Sequence, residues 1–112
     1  MWLFTTRGFY SVVEDHAKNG QLLVRARVRE DLEALVDLIP GLEVSETLDR
    51  DYRFRASVER EAWESAAAAL GREIDYPNFK DAVHDRQGGE RAQAYANVWV
   101  TMLGLQKGGR HG

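Results

Sequence analysis

The stretch Gln21–Arg29, QLLVRARVR, decides the fold. Leu22, Val24, Ala26 and Val28 fall on its even positions, and Leu23, Arg25, Arg27 and Arg29 on its odd ones. Neighbouring side chains on a strand point to opposite faces, so this is a strand with one apolar and one basic face. Tyr52–Val58, YRFRASV, repeats the design with Tyr52, Phe54, Ala56 and Val58 set against Arg53, Arg55 and Ser57. Two such strands imply a sheet whose aliphatic side is covered by helices and whose other side carries arginines.

Residues 2–14 read as extended, with Trp2, Phe4, Thr5 and Thr6 followed by Phe9, Tyr10, Val12 and Val13. Gly8 interrupts this run and marks a bulge or bend. Asn19-Gly20 is a strong signal for a tight hairpin. A two-residue turn there sets Lys18 opposite Gln21 and, counting back, Glu14 opposite Arg25. It also aims Asp15 inward, which leaves a longer loop as the alternative.

After Val28 the period changes to that of a helix. Glu30 and Asp31 complement the positive end of a helix dipole, and Leu32, Leu35, Val36 and Ile39 follow as one stripe. Pro40-Gly41 ends it. Leu42–Leu48 alternates weakly, and Asp49-Arg50-Asp51 turns it into the second arginine strand. A helix opening at Glu59 and Glu61 buries Trp63, Ala66, Ala67, Leu70 and Ile74. Asp75-Tyr76-Pro77 breaks it, and Asn78 caps a short helix over Phe79–His84 with Asp81 three residues on. From Glu90 a final helix carries Tyr95, Val98, Trp99, Met102 and Leu103 along one side. The reading is α+β: a β-β-α-β-β-α, ferredoxin-like single antiparallel sheet of four strands, with helices on one face and an extra C-terminal helix. Residues 1–107 form one domain, and 108–112 (GGRHG) a disordered tail.

Composition limits the function. The 112 residues are 44% hydrophobic and 29% charged, which suits one globular domain. Cysteine is absent, which removes disulfides, thiolate metal sites and cysteine nucleophiles. The net charge of −3 counts against a dedicated nucleic-acid binder, whose affinity rests on phosphate neutralisation. No apolar run is long enough for a signal peptide or a membrane span, so a cytoplasmic protein without membrane contact is expected.

Among residues able to carry chemistry, His16, His84 and His111 lack metal-ligand spacing, and no serine sits in a nucleophile elbow. Phosphate-loop and dinucleotide glycine motifs are missing, so neither metal nor cofactor is expected. What stands out is the arginine face: Arg25, Arg27, Arg53 and Arg55, with Tyr10 as a stacking neighbour. Guanidinium groups grip carboxylate and phosphate in a forked geometry. The plainer alternative pairs these arginines with Glu14, Glu43 and Glu46 across the strands. Against RNA binding, no aromatic residue falls between the arginines on the outward positions. A second candidate is the loop around Tyr76, Asn78, Lys80 and His84, which mixes a ring, a rigid turn and polar groups. Tyr95, Trp99 and Met102 form a candidate interface stripe.

The segments WLFTTRGFYSVV, RARVREDLEAL, DYRFRASV, DYPNFKDAV and AYANVWVTMLGLQ together resemble a family of small, uncharacterised bacterial proteins. The YPNFK loop is the most distinctive part of the likeness. The resemblance implies a bacterial cytosolic domain and brings no activity, cofactor or catalytic residue with it. The expected function is a non-enzymatic protein-interaction module that binds a protein partner or a second copy of itself. RNA or another polyanion on the arginine face is the alternative, and a small enzyme using residues 75–84 is the third reading.

Overall fold

The N-terminal run does not continue straight through Gly8. In this computed structural model, which describes residues 1–48 and 50–108, it divides into β1 (Trp2–Phe4) and β2 (Phe9–Glu14). The chain reverses between them because the Thr5 N–H donates to the Gly8 carbonyl at 2.9 Å, while Thr5 Oγ1 accepts from the Arg7 and Gly8 N–H groups at 3.0 and 3.1 Å. A threonine hydroxyl closing its own turn needs no flanking strand signal. Gly8 is required here by close approach. A Cβ at this position would stand 2.7 Å from the Cβ and 2.8 Å from Oδ1 of Asp31. The Asp31 carboxylate accepts from the Phe9 N–H at 3.0 Å, and the Asp31 carbonyl accepts from the Tyr10 hydroxyl at 2.7 Å.

Three further strands follow: β3 (Gln21–Ala26), the two-residue β4 (Ser45–Glu46) and β5 (Phe54–Glu59). They join β1 and β2 in one five-stranded sheet of order β1-β2-β3-β5-β4. Every neighbouring pair is antiparallel. Four strands were expected and five are present, and this order gives no support to the ferredoxin-like arrangement. The Leu42–Leu48 strand shrinks to β4. Between β2 and β3, Asn19-Gly20 do turn the chain, with the Gln21 N–H donating to the Lys18 carbonyl at 3.1 Å. The longer loop nevertheless holds: the Asp15 N–H donates to the Gln21 carbonyl at 3.0 Å, so the strands close at Asp15 rather than at Lys18. Glu14 therefore lies opposite Leu22, and Ser11 takes the place opposite Arg25.

The helices are α1 (Arg29–Glu33), α2 (Arg60–Arg72), α3 (Phe79–Gln87) and α4 (Gly89–Gly108). The first helical stripe is shorter than its spacing predicts. Turns carry the chain beyond Glu33, where Leu35 and Ile39 stay buried and Val36 is exposed. The even-numbered residues of β3 and, from Ala56 on, of β5 meet these elements as expected. Tyr10, Val12, Leu22, Val24, Ala26 and Val58 pack with Leu32, Leu35, Ile39, Trp63, Ala66 and Leu70 into one core. Ile74, expected in the stripe of α2, lies beyond the helix end and is exposed.

By its internal contacts the chain forms two compact units, Met1–Asp75 and Tyr76–Gly112. The first holds the sheet, α1 and α2; α3 and α4 pack on each other in the second. In the first unit one residue ties three segments together. The Arg7 guanidinium forks onto Glu73 at the end of α2 (Nε to Oε1 2.9 Å, Nη2 to Oε2 2.5 Å). It also reaches Asp37 (Nη1 to Oδ1 2.7 Å) and the Ala34 carbonyl. Bidentate pairing of this kind fixes geometry as well as charge. Hydrogen bonds donated to Glu73 and Asp37 raise the Arg7 pKa, and Arg7 in turn lowers that of Asp37. Of the tail expected at 108–112, Gly108 closes α4, and 109–112 lie outside the described residues, as does Asp49.

Candidate functional site

The sheet of the first unit has a second face, opposite α1 and α2, and its register can be read strand by strand. Trp2 lies opposite Ser11, Ser11 opposite Arg25, Arg25 opposite Arg55, and Arg55 opposite Ser45. Partners in an antiparallel ladder project to the same side. One lateral row therefore runs Trp2, Ser11, Arg25, Arg55, Ser45 across all five strands. Beside it, Phe4 lies opposite Phe9 on the same face.

The arginine pair is the centre of this row. Like charges directly opposite each other in a sheet are destabilising, and this sequence places two guanidinium groups there. Arg25 Nη2 donates to Ser11 Oγ at 2.7 Å, and its guanidinium lies 4.6 Å from the centre of the Tyr52 ring. Among the described residues, the Arg55 side chain makes a single long contact, 3.5 Å from Nη2 to the Tyr52 carbonyl. The Nε of each arginine is buried without a hydrogen-bond partner. Among the described residues neither arginine forms an ion pair. Burial, together with Arg25 and Arg50, lowers the Arg55 pKa, and Asp15 acts in the opposite sense. The Asp15 carboxylate is itself engaged, accepting from the Ser57 hydroxyl and from the Ala17 N–H. Its pKa is lowered, first by Ser57.

The other predicted members of the face divide. Arg27 belongs to it: its guanidinium lies 4.3 Å from the Tyr52 ring centre, and Nη1 meets Asp51 Oδ1 at 3.2 Å. Arg53 does not. Its Nε donates to Glu46 at 2.6 Å, and Glu46 lies opposite Phe54, which itself lies opposite the buried Ala26. Arg53 has thus turned toward the helix-covered side. The reason is that β5 begins only at Phe54, so strict alternation does not hold at Tyr52 and Arg53. Tyr52 takes the vacated direction. It is a buried ring under two guanidinium groups and 6.4 Å from Phe9, rather than a core residue beside Ala56. Tyr10 is displaced the other way. It is fully buried among the core residues, so it cannot stack on a ligand at the arginine face. Of the three acids expected to neutralise the arginines, Glu46 alone forms an ion pair among the described residues, with the departed Arg53.

Aromatic residues therefore do flank the arginines, contrary to the reading from outward positions alone. Phe4 and Phe9 stack at 4.5 Å, Trp2 meets Phe9 edge-on at 6.1 Å and 87°, and Tyr52 extends the row to the arginines. Trp2 is 67% exposed. Part of this was available in the sequence. Once Thr5–Gly8 is taken as a reversal, Phe4 and Phe9 must face the same way. Nothing local indicates the turning of Tyr52.

In the second unit, the loop candidates have local structural roles. Asn78 caps α3 by accepting from the Asp81 N–H at 2.9 Å. Tyr76 meets Phe79 at 5.9 Å and lies 5.8 Å from the Arg86 guanidinium. Lys80 and His84 are exposed, and no metal-binding cluster of His, Asp or Glu occurs among the described residues. On α4, Tyr95 is buried against Phe79, with ring centres 5.8 Å apart, which takes it out of any interface stripe. Trp99 (66%) and Met102 (54%) stay exposed, along with Val100 and Leu105. No described helix is long and apolar enough to cross a membrane.

Compared with protein-family models, with curated proteins and with solved structures, the chain matches none significantly.

Proposed function

We propose that the Met1–Asp75 unit is a non-enzymatic binding module that takes an oxyanion, carboxylate or phosphate, on Arg25 and Arg55. One observation carries this reading: two arginines lie directly opposite each other on neighbouring strands, on the same face, and neither forms an ion pair with a carboxylate among the described residues. Each guanidinium has five N–H donors, and very few of the ten meet protein acceptors. An oxyanion bridging the pair would relieve the repulsion and accept charge-assisted hydrogen bonds. Tyr52 and Ser11 hold the Arg25 guanidinium in place, which lowers the entropy lost on binding. Calorimetric titration with inorganic phosphate and pyrophosphate, in chloride buffer over a salt series, tests it. Binding that weakens with salt and disappears in R25Q/R55Q supports the assignment. Binding that survives in this variant removes it.

A second reading, pairing with a second copy through α4, rests on Val98, Met102 and Leu105, which follow one another along the helix at its own period beside Trp99. A second copy offers the same stripe, so a two-fold contact would cover both at once. Sedimentation showing a strict monomer at high concentration would dismiss it.

A further inference from the structure

Resting on that reading, we propose that the ligand is a nucleotide unit, with its phosphate on Arg25 and Arg55 and its base stacked on Trp2. The lateral row places an exposed indole, a hydroxyl and two guanidinium groups on one line across the sheet. Neighbouring strands are ~4.8 Å apart, so the backbone positions of Trp2 and Arg25 are separated by roughly 10 Å. Arg25 reaches Ser11 and the Trp2 ring meets Phe9, both on the strand between them, so a base, a sugar and a phosphate suit the separation that remains. Ser11 occupies the middle of that span, where its buried hydroxyl accepts from Arg25 and holds that guanidinium in place beneath the ligand.

The rings select among anions. Phe4 and Phe9 stack on each other, and Tyr52 lies beneath Arg25 and Arg27, so these three already have neighbours for their faces. Trp2 meets Phe9 only edge-on and keeps most of its surface open. An aliphatic acid would use the arginines and ignore the indole, whereas a nucleotide uses both. Base stacking on aromatic side chains is tolerant of sequence, because every base has a π-face. Charge limits the length of the ligand. Residues 1–75 hold ten Lys and Arg against fifteen Asp and Glu, a net charge of −5. A long polyanion is repelled by such a unit, so one or two phosphates are engaged at the pair. For a single strand neutralised at two phosphates, the slope of log affinity against log salt is about −1.4.

The test is titration calorimetry of the full chain with inorganic phosphate, ribose 5-phosphate, uridine monophosphate and a four-nucleotide single strand. Uridine monophosphate is expected to bind about ten-fold or more tighter than ribose 5-phosphate, in line with one stacked base. Trp2→Leu should bring uridine monophosphate down to the level of ribose 5-phosphate while leaving the latter unchanged. Trp2→Phe should restore most of the difference, and circular dichroism confirms that both variants fold. Equal binding of the strand and the mononucleotide points to a free nucleotide, and tighter binding of the strand to a single-stranded polymer; both uphold the class. If uridine monophosphate and ribose 5-phosphate bind alike, or if Trp2→Leu changes neither, the nucleotide assignment falls and the oxyanion site stands. If no phosphate compound binds, both fall.

Discussion

Replacing Arg55 with methionine should make the empty protein more stable. Arg55 lies directly opposite Arg25, and like charges so placed cost about 0.2–1 kcal/mol. Its buried Nε has no acceptor, a deficit of about 1–3 kcal/mol in buried settings, though the half-buried position calls for the lower end. Against this, the substitution removes one 3.5 Å contact to the Tyr52 carbonyl, too long to contribute much. Methionine keeps the aliphatic stem and its packing. The net expectation is a gain of roughly 1 kcal/mol, or ~4–8 °C in Tm for a unit of this size. Urea unfolding followed by far-ultraviolet circular dichroism, in chloride buffer free of phosphate, measures it through a midpoint shift at constant slope. Excess pyrophosphate should reverse the ranking. A ligand present at a hundred times its Kd adds about 2.7 kcal/mol to the protein that binds it, and Arg55→Met should gain little. If Arg55→Met loses about 1 kcal/mol or more without ligand, the arginine belongs to the framework and the reasoning fails.

Gly8→Ala should destabilise the first unit by about 2–3 kcal/mol, because the added methyl displaces Asp31 from the Phe9 N–H in a well-packed site; urea unfolding checks this. Acid should cost that unit more of its neutral-pH stability than it costs a variant lacking Arg7. The Asp37 pKa is held below its ordinary 3.8 by Arg7, so its contribution is present above that value and is lost as pH falls through the folded pKa. Asp15, lowered by Ser57, acts in the same window. Arg7→Leu should therefore flatten the dependence of stability on pH below about 4, where acid titration of the two proteins compares them. In the second unit, Asn78→Ala should cost about 1 kcal/mol of α3 stability, seen as faster hydrogen exchange at the Asp81 amide.

The parity of the two arginine strands was legible because one face is buried and a one-residue slip would expose it. That is why Leu22, Val24, Ala26, Ala56 and Val58 occupy the side expected of them. The Asn78 cap was legible for a similar reason, since its signal is local and chemical. The misreadings occur where local pattern gives way to tertiary contact. The Thr5–Gly8 reversal depends on a threonine hydroxyl and on Asp31, more than twenty residues away, filling the space beside Gly8. The Asn19-Gly20 pair turns the chain, but in a longer loop whose register Asp15 and Gln21 set. Tyr52 and Arg53 exchange sides because they precede the first ladder pair of β5, where alternation is not enforced. The candidate site was half visible: the sequence shows Arg25 and Arg55 on one face, but not the rings that Trp2, Phe9 and Tyr52 bring to it.

The most direct measurement follows the arginine Nε–H resonances by nitrogen-edited NMR while pyrophosphate is added. The buried Nε–H groups of Arg25 and Arg55 should both move and saturate together, reporting one anion bridging the pair. The Nε–H of Arg7, already bonded to Glu73, should stay in place. Unmoved signals from Arg25 and Arg55, or equal shifts in every arginine, would contradict an oxyanion site at the centre of this sheet.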